Sequence, residues 1–555
     1  MSDNAKGIDL VIVGGVAAGA SAATRARRLS EASRIVIFER GPDVSFANCG
    51  MPYHIGDVIA DRSKLAITTP ERLRERFALD VRVRSEVISI DRRAKTVRVR
   101  ELATGREYDQ PYDKLLLAPG AAPFRPPIPG ADLPGVHVLR DLGDMDRIRQ
   151  TVDRGIDRAV ILGGGFIGLE LVENLVHRQV ATTLVERNEQ VLGPLDREMT
   201  LPLKRTLEQH QVDLRLGRQA IAIEPRGERF VVRLDDGSTI EAGLVVIGVG
   251  VRPENALAVA AGLEIGPRGG IRVDRTMRTS DPDIYAAGDV VETRDDVMGQ
   301  PVQVPLAGPA NRQGRLAADA IFGREVQFRG TQATAVLGLF GTTAALTGLS
   351  EKQAEAMGIE YATAFIHPMH HAGYYPGAEG MTLKLVFDPR DGRVLGAQGV
   401  GGAGVDKRID VLAIAIQARM TVFDLEQSEL CYAPQFGSAK DPINMLGFVA
   451  AGLMRGDHPQ WSMRRYLSLP IETRPYSLDV RTPSEFTAGT IPGAVNLPVD
   501  ELRSRLNELP QDRPIAVFCQ VGQRGYLATR ILRQNGFDAF NLGGGYRTYL
   551  LHRDA

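Results

Sequence analysis

Two short apolar runs near the beginning of the chain show the pattern of strands that are buried on both faces. Residues 9–13 (DLVIV) and 34–38 (RIVIF) are rich in β-branched residues and lack polar alternation, which is typical of strands inside a parallel sheet. A glycine-rich turn and a helical pattern through Leu29 lie between them. The order strand, glycine turn, helix, strand predicts a βαβ unit.

The same succession occurs again in the middle of the chain. A strand is predicted over 158–162, followed by a second glycine turn, a helical pattern and a strand over 181–185. A further apolar strand is predicted over 244–250. Between the two units, residues 81–99 alternate enough to predict paired strands, and residues 112–120 predict a buried strand that ends at a Pro-Gly turn.

The pattern changes in the last part of the chain. Residues 330–447 hold many small residues and alternating runs such as 381–387 (MTLKLVF), and residues 448–468 have the composition of a connector. Strands predicted over 477–481 and 515–518 begin a compact α/β unit. The whole pattern predicts an α/β protein of three to five domains, on the usual prior of about 100–200 residues for each domain.

The first glycine turn has most of the features of a dinucleotide-binding motif. Gly14 and Gly19 flank it, and Glu39 ends the next strand, where a carboxylate can bind a ribose hydroxyl. Backbone N–H groups of such a turn can approach a pyrophosphate at the helix N-terminus. The middle glycine is replaced by Val16, so this motif taken alone is also compatible with an ordinary tight turn.

The second glycine turn is complete. Gly163, Gly165 and Gly168 form G-x-G-x-x-G between a predicted strand and a predicted helix, and the next strand ends at Glu186. This context is the one that the motif requires. A carboxylate at Glu186 favours the free 2′-hydroxyl of NADH over the 2′-phosphate of NADPH. Because Arg187 follows directly, NADH is expected to be preferred, with NADPH as an alternative.

Two dinucleotide units in one chain argue for one bound flavin and one exchangeable nicotinamide. A third feature, Gly288-Asp289, follows the apolar residues 284–287. A carboxylate placed there at a helix start can accept hydrogen bonds from polyol hydroxyls, although strand-Gly-Asp turns are common.

One of the three cysteines of the 555 residues lies in the segment SFANCGMPY, residues 45–53. Cys49 follows the first βαβ unit, where a thiol could face a flavin. No second cysteine lies near it in the sequence, so a disulfide formed there must involve a molecule from outside. We therefore interpret Cys49 as the redox thiol of a flavoenzyme that acts on a small disulfide or persulfide.

Three polar residues share one face of the first predicted helix. Ser21, Arg25 and Arg28 are spaced i, i+4, i+7. Most such groups are solvated basic faces, and the alternative is a phosphate-binding stripe near the Cys49 segment.

The C-terminal unit carries its own thiol. Cys519 opens the loop CQVGQRG, residues 519–525, between the strand 515–518 and a predicted helix. N–H groups of a loop of this kind point inward and can bind an anion. With the helix N-terminus and Arg524 beside it, Cys519 could carry sulfur as a persulfide anion. A purely structural buried cysteine fits this Gly/Arg loop poorly.

Composition excludes several other classes of function. The net charge of −1 offers no field for nucleic acid or an anionic membrane, and 43% hydrophobic with 24% charged residues is ordinary for a globular protein. Three widely spaced cysteines exclude a disulfide framework. The N-terminal residues lack a secretory pattern, and no apolar run is long enough to span a bilayer. The expectation is a soluble cytoplasmic protein that binds neither nucleic acid nor membrane.

Residues 1–447 resemble the pyridine nucleotide-disulfide oxidoreductases, and within them the coenzyme A-disulfide reductases. The resemblance is carried by SFANCGMPY, the two dinucleotide motifs, Ala118-Pro119-Gly120 and Gly288-Asp289. The C-terminal unit resembles a rhodanese domain through LDVRTPSEF, GTIPGAVNLP and CQVGQRG. The combination is similar to reductases fused to a rhodanese, a type associated with reduction of polysulfide and coenzyme A-persulfide.

The resemblance implies two Rossmann-like dinucleotide-binding domains, an α+β dimerisation domain and a C-terminal α/β rhodanese domain. The expected boundaries are 1–150 and 251–328 for the two parts of the FAD domain, 151–250 for the NAD(P)H domain, 329–447 for the dimerisation domain, 448–468 for a linker and 469–555 for the rhodanese domain.

The resemblance also implies the site residues. FAD would lie on Gly14, Gly19, Glu39 and Asp289, and NADH or NADPH on Gly163, Gly165, Gly168 and Glu186. Coenzyme A would be held by Ser21, Arg25, Arg28, Ser45 and Asn48. Tyr374, Tyr432 and Lys440 would reach the site from the other subunit of a homodimer, the two tyrosines lying near the sulfur chemistry. Cys49, Cys519, Tyr374, Tyr432 and Arg524 are the expected catalytic residues, and no metal is expected.

The implied reaction moves hydride from the nicotinamide to the flavin and electrons from there to a mixed disulfide at Cys49, with release of hydrogen sulfide. A thiolate beside an oxidised flavin is stabilised by charge transfer, so a lowered pKa of Cys49 is expected. Cys519 would pass sulfane sulfur to a carrier thiol such as coenzyme A, or directly to Cys49.

Four departures from related patterns affect this interpretation. The first glycine turn lacks the histidine of NADH oxidases and peroxidases, which counts against a peroxidase. Val44 and His54 stand where a C-x4-C pair would need cysteine, so an internal redox disulfide at Cys49 is excluded. Thr490 replaces a usual histidine in the rhodanese part, a change that we expect to be tolerated. Cys431 is interpreted as a small buried side chain.

Three other functions remain open at this point. They are a coenzyme A-disulfide reductase proper, an NADH oxidase or peroxidase, and a non-catalytic flavin-containing sulfur sensor or carrier.

Overall fold

The computed structural model describes residues 7–553. The chain divides into two compact units. One contains the residues up to Glu189 together with His210–Ala333, and the other contains Gln190–Gln209 together with Thr334 onward. Among the described residues, no helix combines the length and apolarity needed to cross a membrane.

The first unit begins with a βαβ arrangement that matches the predicted pattern. Its elements up to residue 123 are β1 Asp9–Val13, α1 Ala17–Arg27, β2 Arg34–Phe38, α2 Met51–Ile55, α3 Pro70–Phe77, β3 Asp80–Arg82, β4 Ser85–Asp91, β5 Thr96–Glu101, β6 Glu107–Pro111, β7 Lys114–Leu117 and β8 Ala121–Pro123.

The middle of the chain repeats the arrangement. Its elements are β9 Val136–His137, α4 Leu142–Asp153, β10 Arg158–Leu162, α5 Phe166–His177, β11 Ala181–Glu186, α6 Arg197–Gln209, β12 Asp213–Leu216, β13 Ala220–Arg226, β14 Arg229–Leu234, β15 Thr239–Ala242 and β16 Leu244–Ile247. They are followed by β17 Val251–Pro253, α7 Ala256–Ala260, β18 Ile271–Arg272, β19 Ile284–Ala286, β20 Val291–Arg294, β21 Pro301–Val302 and α8 Ala307–Ile321.

Two five-stranded sheets organise this unit. The first has the order β19-β7-β1-β2-β3, and every adjacent pair in it is parallel. Residues after 250 therefore return to the sheet that the N-terminal residues begin. The second has the order β12-β11-β10-β16-β9, also parallel. The central strands are apolar because both of their faces are covered, and Ile12 and Ile161 are fully buried.

The second unit contains an antiparallel sheet of order β22-β23-β26-β25-β24. Its elements are β22 Ala335–Leu339, β23 Thr342–Gly348, α9 Glu351–Ala356, β24 Ala362–Ile366, β25 Met381–Phe387, β26 Val394–Gly401, α10 Val405–Gln417, α11 Val422–Glu426 and α12 Pro442–Arg455. Helix α6 belongs to this unit and packs against β23 and β26.

The alternating run of β25 does not produce an exposed face. All seven residues Met381–Phe387 are buried, because its polar side chains find partners inside. Lys384 lies 2.5–2.7 Å from carboxylate oxygens of Asp196, Glu198 and Glu351. The polar position of an alternating strand is therefore occupied here by a paired internal charge.

The rest of the second unit is a parallel sheet of order β27-β31-β30-β28-β29. Its elements are β27 Gln460–Trp461, α13 Met463–Leu467, β28 Tyr476–Asp479, α14 Pro483–Thr487, β29 Val495–Asn496, β30 Ile515–Phe518, α15 Gln523–Gln534, β31 Ala539–Leu542 and α16 Gly545–Arg553. Residues 448–468, expected to be a linker, contain the second half of α12, the strand β27 that pairs with β31, and α13.

Candidate active site

The first glycine turn is closed by tight backbone contacts. Gly14 has φ +95°, and a Cβ atom added there would lie 2.1 Å from the carbonyl oxygen of Ala118. A Cβ atom added at Gly19 would lie 1.9 Å from the carbonyl oxygen of Gly14. Only glycine fits at either position. The carboxylate of Glu39 accepts the backbone N–H groups of Gly15 and Gly41, each at 2.8 Å.

The second glycine turn repeats this construction. A Cβ atom added at Gly168 would lie 1.9 Å from the carbonyl oxygen of Gly163, and Glu186 accepts the N–H of Gly164 at 2.7 Å. A Cβ atom added at Gly165 would have no heavy atom within 4 Å. The middle position therefore opens onto free space of the kind that a pyrophosphate needs.

The residues around the first turn fit a flavin dinucleotide. Burial raises the pKa of the Asp289 carboxyl to about 6, and no carboxylate hydrogen bond or ion pair of Asp289 is observed within the described part of the chain. A buried carboxyl without a partner suits a ligand that supplies hydroxyl donors. Gly14, Gly19, Glu39 and Asp289 would hold the group, whose chemistry is two-electron transfer between a nicotinamide and a disulfide.

The Cys49 segment is tied to the first glycine turn. Ser45, with φ +46°, donates its backbone N–H to the carbonyl oxygen of Gly15 at 2.9 Å. Cys49 follows in a 3₁₀ turn, Asn48–Gly50, that leads into α2. The structure thus places the predicted redox thiol beside the predicted flavin turn.

The chain's own residues work against ionisation of Cys49. Its side chain is exposed, yet surrounding protein displaces enough water that desolvation raises the pKa of the thiol, and the charges of Glu170 and Asp289 add to this effect. The expected lowering of the pKa concerns a thiolate beside an oxidised flavin and stays a prediction. A lowering would have to come from the bound flavin.

Glu170 was not predicted from the sequence as a site residue, although it lies two residues after the second glycine motif. Burial and the neighbouring Glu173 raise the pKa of its carboxyl to about 7. Burial, and then the charge of Glu170, raise the pKa of Tyr53 to about 12. Glu170 thus titrates near neutral pH beside the Cys49 segment, a position that motif spacing does not reveal.

The predicted coenzyme A residues on α1 already have partners within the chain. Ser21 Oγ donates to Asn311 Oδ1 at 2.5 Å. Arg25 donates through Nε and a terminal nitrogen to one oxygen of Asp319, at 2.9 and 2.6 Å. Arg28 is exposed. Ser21 and Arg25 both bond to residues of α8, whereas Arg28 is the residue that caps the C-terminus of α1. Their binding of coenzyme A stays a prediction.

The other predicted coenzyme A residues are accessible. Asn48 donates a long hydrogen bond of 3.4 Å to the carbonyl oxygen of Arg140, and both Asn48 and Lys440 are exposed. Lys440 belongs to the second compact unit.

The two predicted tyrosines meet in space. The hydroxyl oxygens of Tyr374 and Tyr432 lie 2.9 Å apart, and the backbone N–H of Ala372 donates to the carbonyl oxygen of Gly437 at 2.9 Å, which joins the two loops. The hydrogen bond from Tyr374 raises the pKa of Tyr432. Cys431 next to it is exposed, so its interpretation as a buried side chain is wrong for this chain, because residues 430–436 form a loop without regular structure.

The rhodanese-like loop surrounds a buried thiol. Cys519 is 1% exposed, and the backbone N–H of Gly522 donates to its Sγ at 3.2 Å. Arg524 forms two hydrogen bonds with Glu485, at 2.6 and 2.8 Å. The hydrogen bonds from Arg524 lower the pKa of Glu485 to about 2. The loop therefore offers an N–H donor to sulfur and an arginine whose charge is balanced.

Buried polar residues that the sequence did not select support this loop. Arg481 is 2% exposed and donates to both oxygens of Asp479 and, at 3.0 Å, to Gln520 Oε1. Thr490 Oγ1 donates to Asp479 at 2.8 Å. The strand end Asp479-Val480-Arg481 was visible in the sequence, but its contact with the loop needed the fold.

These features define an oxidoreductase of the flavin- and pyridine nucleotide-dependent class, with a further α/β domain whose loop surrounds a buried cysteine. The chain belongs to the pyridine nucleotide-disulphide oxidoreductase family, which it matches over residues 8–314. The dimerisation domain of that family matches residues 336–441, and a rhodanese-like domain matches residues 464–552. The predicted fold class is confirmed.

Curated relatives match most of this chain. The coenzyme A disulfide reductase of Staphylococcus haemolyticus is 33% identical over 446 residues, which are 80% of this chain and 99% of that protein. The coenzyme A disulfide reductase of Staphylococcus aureus strain bovine RF122 / ET3-1 is 34% identical over 443 residues.

Two solved structures cover nearly the whole chain. The reduced CoADR-RHD of Bacillus anthracis is 44% identical with a TM-score of 0.97, and covers 99% of both chains. The NAD-dependent persulfide reductase from A. fulgidus is 35% identical with a TM-score of 0.91, over 98% of this chain and 100% of that one. The chain is thus a pyridine nucleotide-disulphide oxidoreductase with a rhodanese-like domain.

Proposed function

We propose that this protein reduces coenzyme A-persulfide or polysulfide with NADH, or alternatively NADPH, and releases hydrogen sulfide. The observation that carries the proposal is the presence of two thiols in different surroundings in one chain. Cys49 is exposed beside a flavin-type turn, and Cys519 is buried in a loop whose Gly522 N–H donates to its sulfur. Within the sequence, the nearest other cysteine to Cys49 is Cys431, so its disulfide partner comes from the substrate.

The reaction at Cys49 is a thiol exchange followed by reduction. The Cys49 thiolate attacks a persulfide RSSH, the S–S bond breaks, and hydrosulfide leaves while Cys49–S–S–R forms. When bound, the flavin carries two electrons from the pyridine nucleotide to this disulfide. The balanced sum is RSSH + NADH + H⁺ → RSH + H₂S + NAD⁺.

The tyrosine pair supports this chemistry by holding protons. Tyr374 and Tyr432 form a hydroxyl pair on exposed loops. Tyr432, whose pKa is raised above the ordinary value of 10.0 by the hydrogen bond from Tyr374, carries its proton at neutral pH. In a homodimer, these loops of one subunit would supply protons to the departing thiolate at Cys49 of the other. The matched dimerisation domain supports this arrangement.

Coenzyme A fits as the carrier of the sulfur. Its phosphates would be bound by Arg25 and Arg28 on α1, and its thiol end by Ser45 and Asn48 beside Cys49. Cys519 would accept sulfane sulfur and pass it to the coenzyme A thiol. Relatives named coenzyme A disulfide reductase and a neighbour named persulfide reductase support this substrate class.

The test is anaerobic release of sulfide from polysulfide and NADH, with and without coenzyme A. Cys49→Ser is expected to abolish NADH-dependent release. Cys519→Ser is expected to slow it with polysulfide and to leave turnover of preformed coenzyme A-persulfide unchanged. Full activity of Cys49→Ser would contradict the proposal. If Cys519→Ser, and not Cys49→Ser, loses all sulfide release, the reaction takes place at the rhodanese domain and not at Cys49.

A second candidate is a coenzyme A-disulfide reductase proper, favoured by relatives of that name that match 80% of this chain. Comparison of kcat/KM for coenzyme A-disulfide and coenzyme A-persulfide separates the two. An oxidase is less well supported, because the water-forming NADH oxidase from Lactobacillus brevis is only 27% identical over 81% of this chain. Fast NADH oxidation by oxygen or peroxide that requires Cys49 would favour it.

A further inference from the structure

A buried asparagine lies behind the Cys519 loop and contacts it directly. Asn541, on β31, is fully buried. Its Nδ2 donates to the carbonyl oxygen of Gly522 at 3.0 Å and lies 2.9 Å from Nε2 of His458. These two acceptors account for both hydrogens of the amide nitrogen. They also determine the orientation of the amide, because a flip would turn its oxygen toward the Gly522 carbonyl.

Within residues 7–553, the oxygen of this amide has no hydrogen-bond partner. Asn541 Oδ1 is buried without a hydrogen bond, and a Cβ atom added at Gly525 would lie 2.3 Å from it. An unpaired buried polar atom destabilises the folded state. An apolar residue at position 541 would leave no polar atom unpaired. The two hydrogen bonds that Nδ2 donates, to Gly522 and to His458, therefore explain why this position is an asparagine.

Gly522 is the residue that points at the sulfur. Its N–H donates to Cys519 Sγ at 3.2 Å, and its φ of +102° is a conformation that favours glycine. A glycine is also conformationally free, so the direction of its N–H depends on what anchors it. On the carbonyl side, the Gly522 oxygen accepts hydrogen bonds from the backbone N–H of Tyr526 at 2.9 Å and from Asn541 Nδ2 at 3.0 Å, so Asn541 is the side chain that anchors it.

His458 comes from the segment before the rhodanese match, which begins at residue 464. Its backbone N–H donates to the carbonyl oxygen of Gly452 in α12 at 3.1 Å, and its ring packs on Tyr526 with centroids 4.4 Å apart. Burial lowers the pKa of His458 to about 4. The ring is therefore neutral at physiological pH, and its unprotonated Nε2 can accept the hydrogen of Asn541.

We propose that Asn541, oriented by His458, is a positioning residue for sulfur transfer at Cys519. It holds Gly522 so that the N–H stabilises negative charge on the Cys519 sulfur, in the thiolate and in the persulfide anion. This inference rests on the proposed sulfur transfer. The transfer has two steps, neither of which needs an oxidant or a reductant. In the first, Cys519–S⁻ + RSSH → Cys519–SSH + RS⁻, and in the second, Cys519–SSH + R′S⁻ → Cys519–S⁻ + R′SSH.

The first readout is the reactivity of Cys519 toward iodoacetamide as a function of pH. It is measured in the full-length flavoprotein with Cys49→Ser and Cys431→Ser, which leaves Cys519 as the only cysteine. Asn541→Ala is expected to slow alkylation at neutral pH about tenfold and to shift the rise of the alkylation rate to higher pH, because the Gly522 N–H is no longer held toward the sulfur. His458→Phe keeps an aromatic ring on Tyr526 and is expected to act in the same direction.

Asn535→Ala is the matched control. Asn535 is in the same domain, and its amide likewise donates to a backbone carbonyl, that of Ile531, at 2.8 Å, but it is at the far end of α15 from the loop. Its pH profile is expected to equal that of the parent protein. An Asn541→Ala or His458→Phe profile that equals the Asn535→Ala profile would overturn the proposal.

The second readout is sulfur transfer from polysulfide to cyanide, in protein that retains all cysteines. Asn541→Ala is expected to lower kcat about tenfold with little change in KM, while NADH-dependent reduction of coenzyme A-disulfide at Cys49 stays unchanged. If the parent protein transfers no sulfur, the proposed function fails while the alkylation profile still tests the positioning role. If Asn541→Ala does not fold, the positioning role is tested with His458→Phe alone, because this variant keeps Asn541 in place.

Discussion

The hydroxyl oxygens of Tyr374 and Tyr432 lie 2.9 Å apart, although 58 positions separate the two residues in the chain. Their loops are joined by the bond from Ala372 to Gly437. A second anchor is Arg408, which is 1% exposed and donates to Asp441 at 2.9 Å and to the carbonyl oxygen of His370 at 2.8 Å. An exposed hydroxyl pair thus rests on a rigid, buried support.

Removing either hydroxyl is expected to impair proton donation. Tyr374→Phe and Tyr432→Phe should each lower kcat for coenzyme A-persulfide by about 100-fold, the lower end of what a positioned proton donor contributes. The double variant should be little worse than either single one, because the pair acts as a unit. Steady-state sulfide release measures this effect.

Flavin reduction by NADH, followed by stopped-flow absorbance, is the control for the tyrosine variants. It should be unchanged, since the tyrosines hold protons for the sulfur step only. Equal slowing of both reactions would contradict the assigned role.

The internal charge cluster should determine how stability depends on pH. Burial opposes ionisation of Asp196 and Glu351, but attraction and hydrogen bonds from Lys384 outweigh it and leave the pKa of both carboxyls lowered. Their contribution to stability is therefore present above their ordinary pKa values of 3.8 and 4.5 and is lost as the pH falls below them. Thermal unfolding should show a falling Tm below about pH 4.5.

Lys384→Met should reverse that dependence. Without the ammonium group, buried carboxylates are left uncompensated, which costs about 3–5 kcal/mol at neutral pH. Their pKa values then rise, so protonation relieves the cost and Tm should increase as the pH falls from 7 toward 4.5. If the Tm of Lys384→Met changes with pH in the same way as the Tm of the parent protein, the charges of this cluster do not control the pH dependence of stability.

Two glycines of the second motif should respond in opposite ways to the same added methyl group. Gly165→Ala has room for the Cβ atom, so it should fold normally and raise KM for NADH by about tenfold or more, because the methyl group enters the space for the pyrophosphate. Gly168→Ala would place its Cβ 1.9 Å from the Gly163 carbonyl oxygen and should lower Tm instead. Kinetics and thermal unfolding of both variants check this contrast.

Arg28 and Arg25 should differ in their effect on substrate binding. Arg28→Ala should raise KM for coenzyme A-disulfide about tenfold, the loss of one charge-assisted hydrogen bond, and leave Tm unchanged. Arg25→Ala should raise KM and also lower Tm, because it breaks the 2.6 Å ion pair with Asp319. Arg34→Ala, exposed at the start of β2, is the control.

Asp319→Asn separates the two roles of Arg25. If Arg25 binds coenzyme A, releasing it from Asp319 should leave KM unchanged or lower it. If Arg25 serves only the ion pair, Asp319→Asn and Arg25→Ala should lower Tm alike and leave KM unchanged.

Glu170 should control the reactivity of Cys49. Its negative charge raises the pKa of the thiol, so Glu170→Gln should lower that pKa and speed alkylation of Cys49 by about three- to tenfold. The acceleration should be largest above pH 7, where Glu170, with a pKa of about 7, is ionised in the parent protein. Alkylation is measured with Cys431→Ser and Cys519→Ser, and a rate that does not change on Glu170→Gln would contradict the coupling.

Local features of the sequence predicted much of the fold. The strands Asp9–Val13, Arg34–Phe38, Arg158–Leu162 and Ile515–Phe518 coincide with their predictions, because an unbroken β-branched run can be buried only in the interior of a parallel sheet. The glycine turns were equally clear, since their requirement for a small residue is a property of the backbone itself.

Contacts between distant residues could not be predicted in this way. The sequence by itself determined the two dinucleotide units, the two thiols and the family of this protein, because these depend on short motifs. Only the tertiary structure decided that Lys384 is buried among carboxylates, that Arg25 pairs with Asp319, and that Asn541 holds Gly522. The physical reason is that the environment of a polar side chain depends on what packs against it, and its packing partners come from remote parts of the chain.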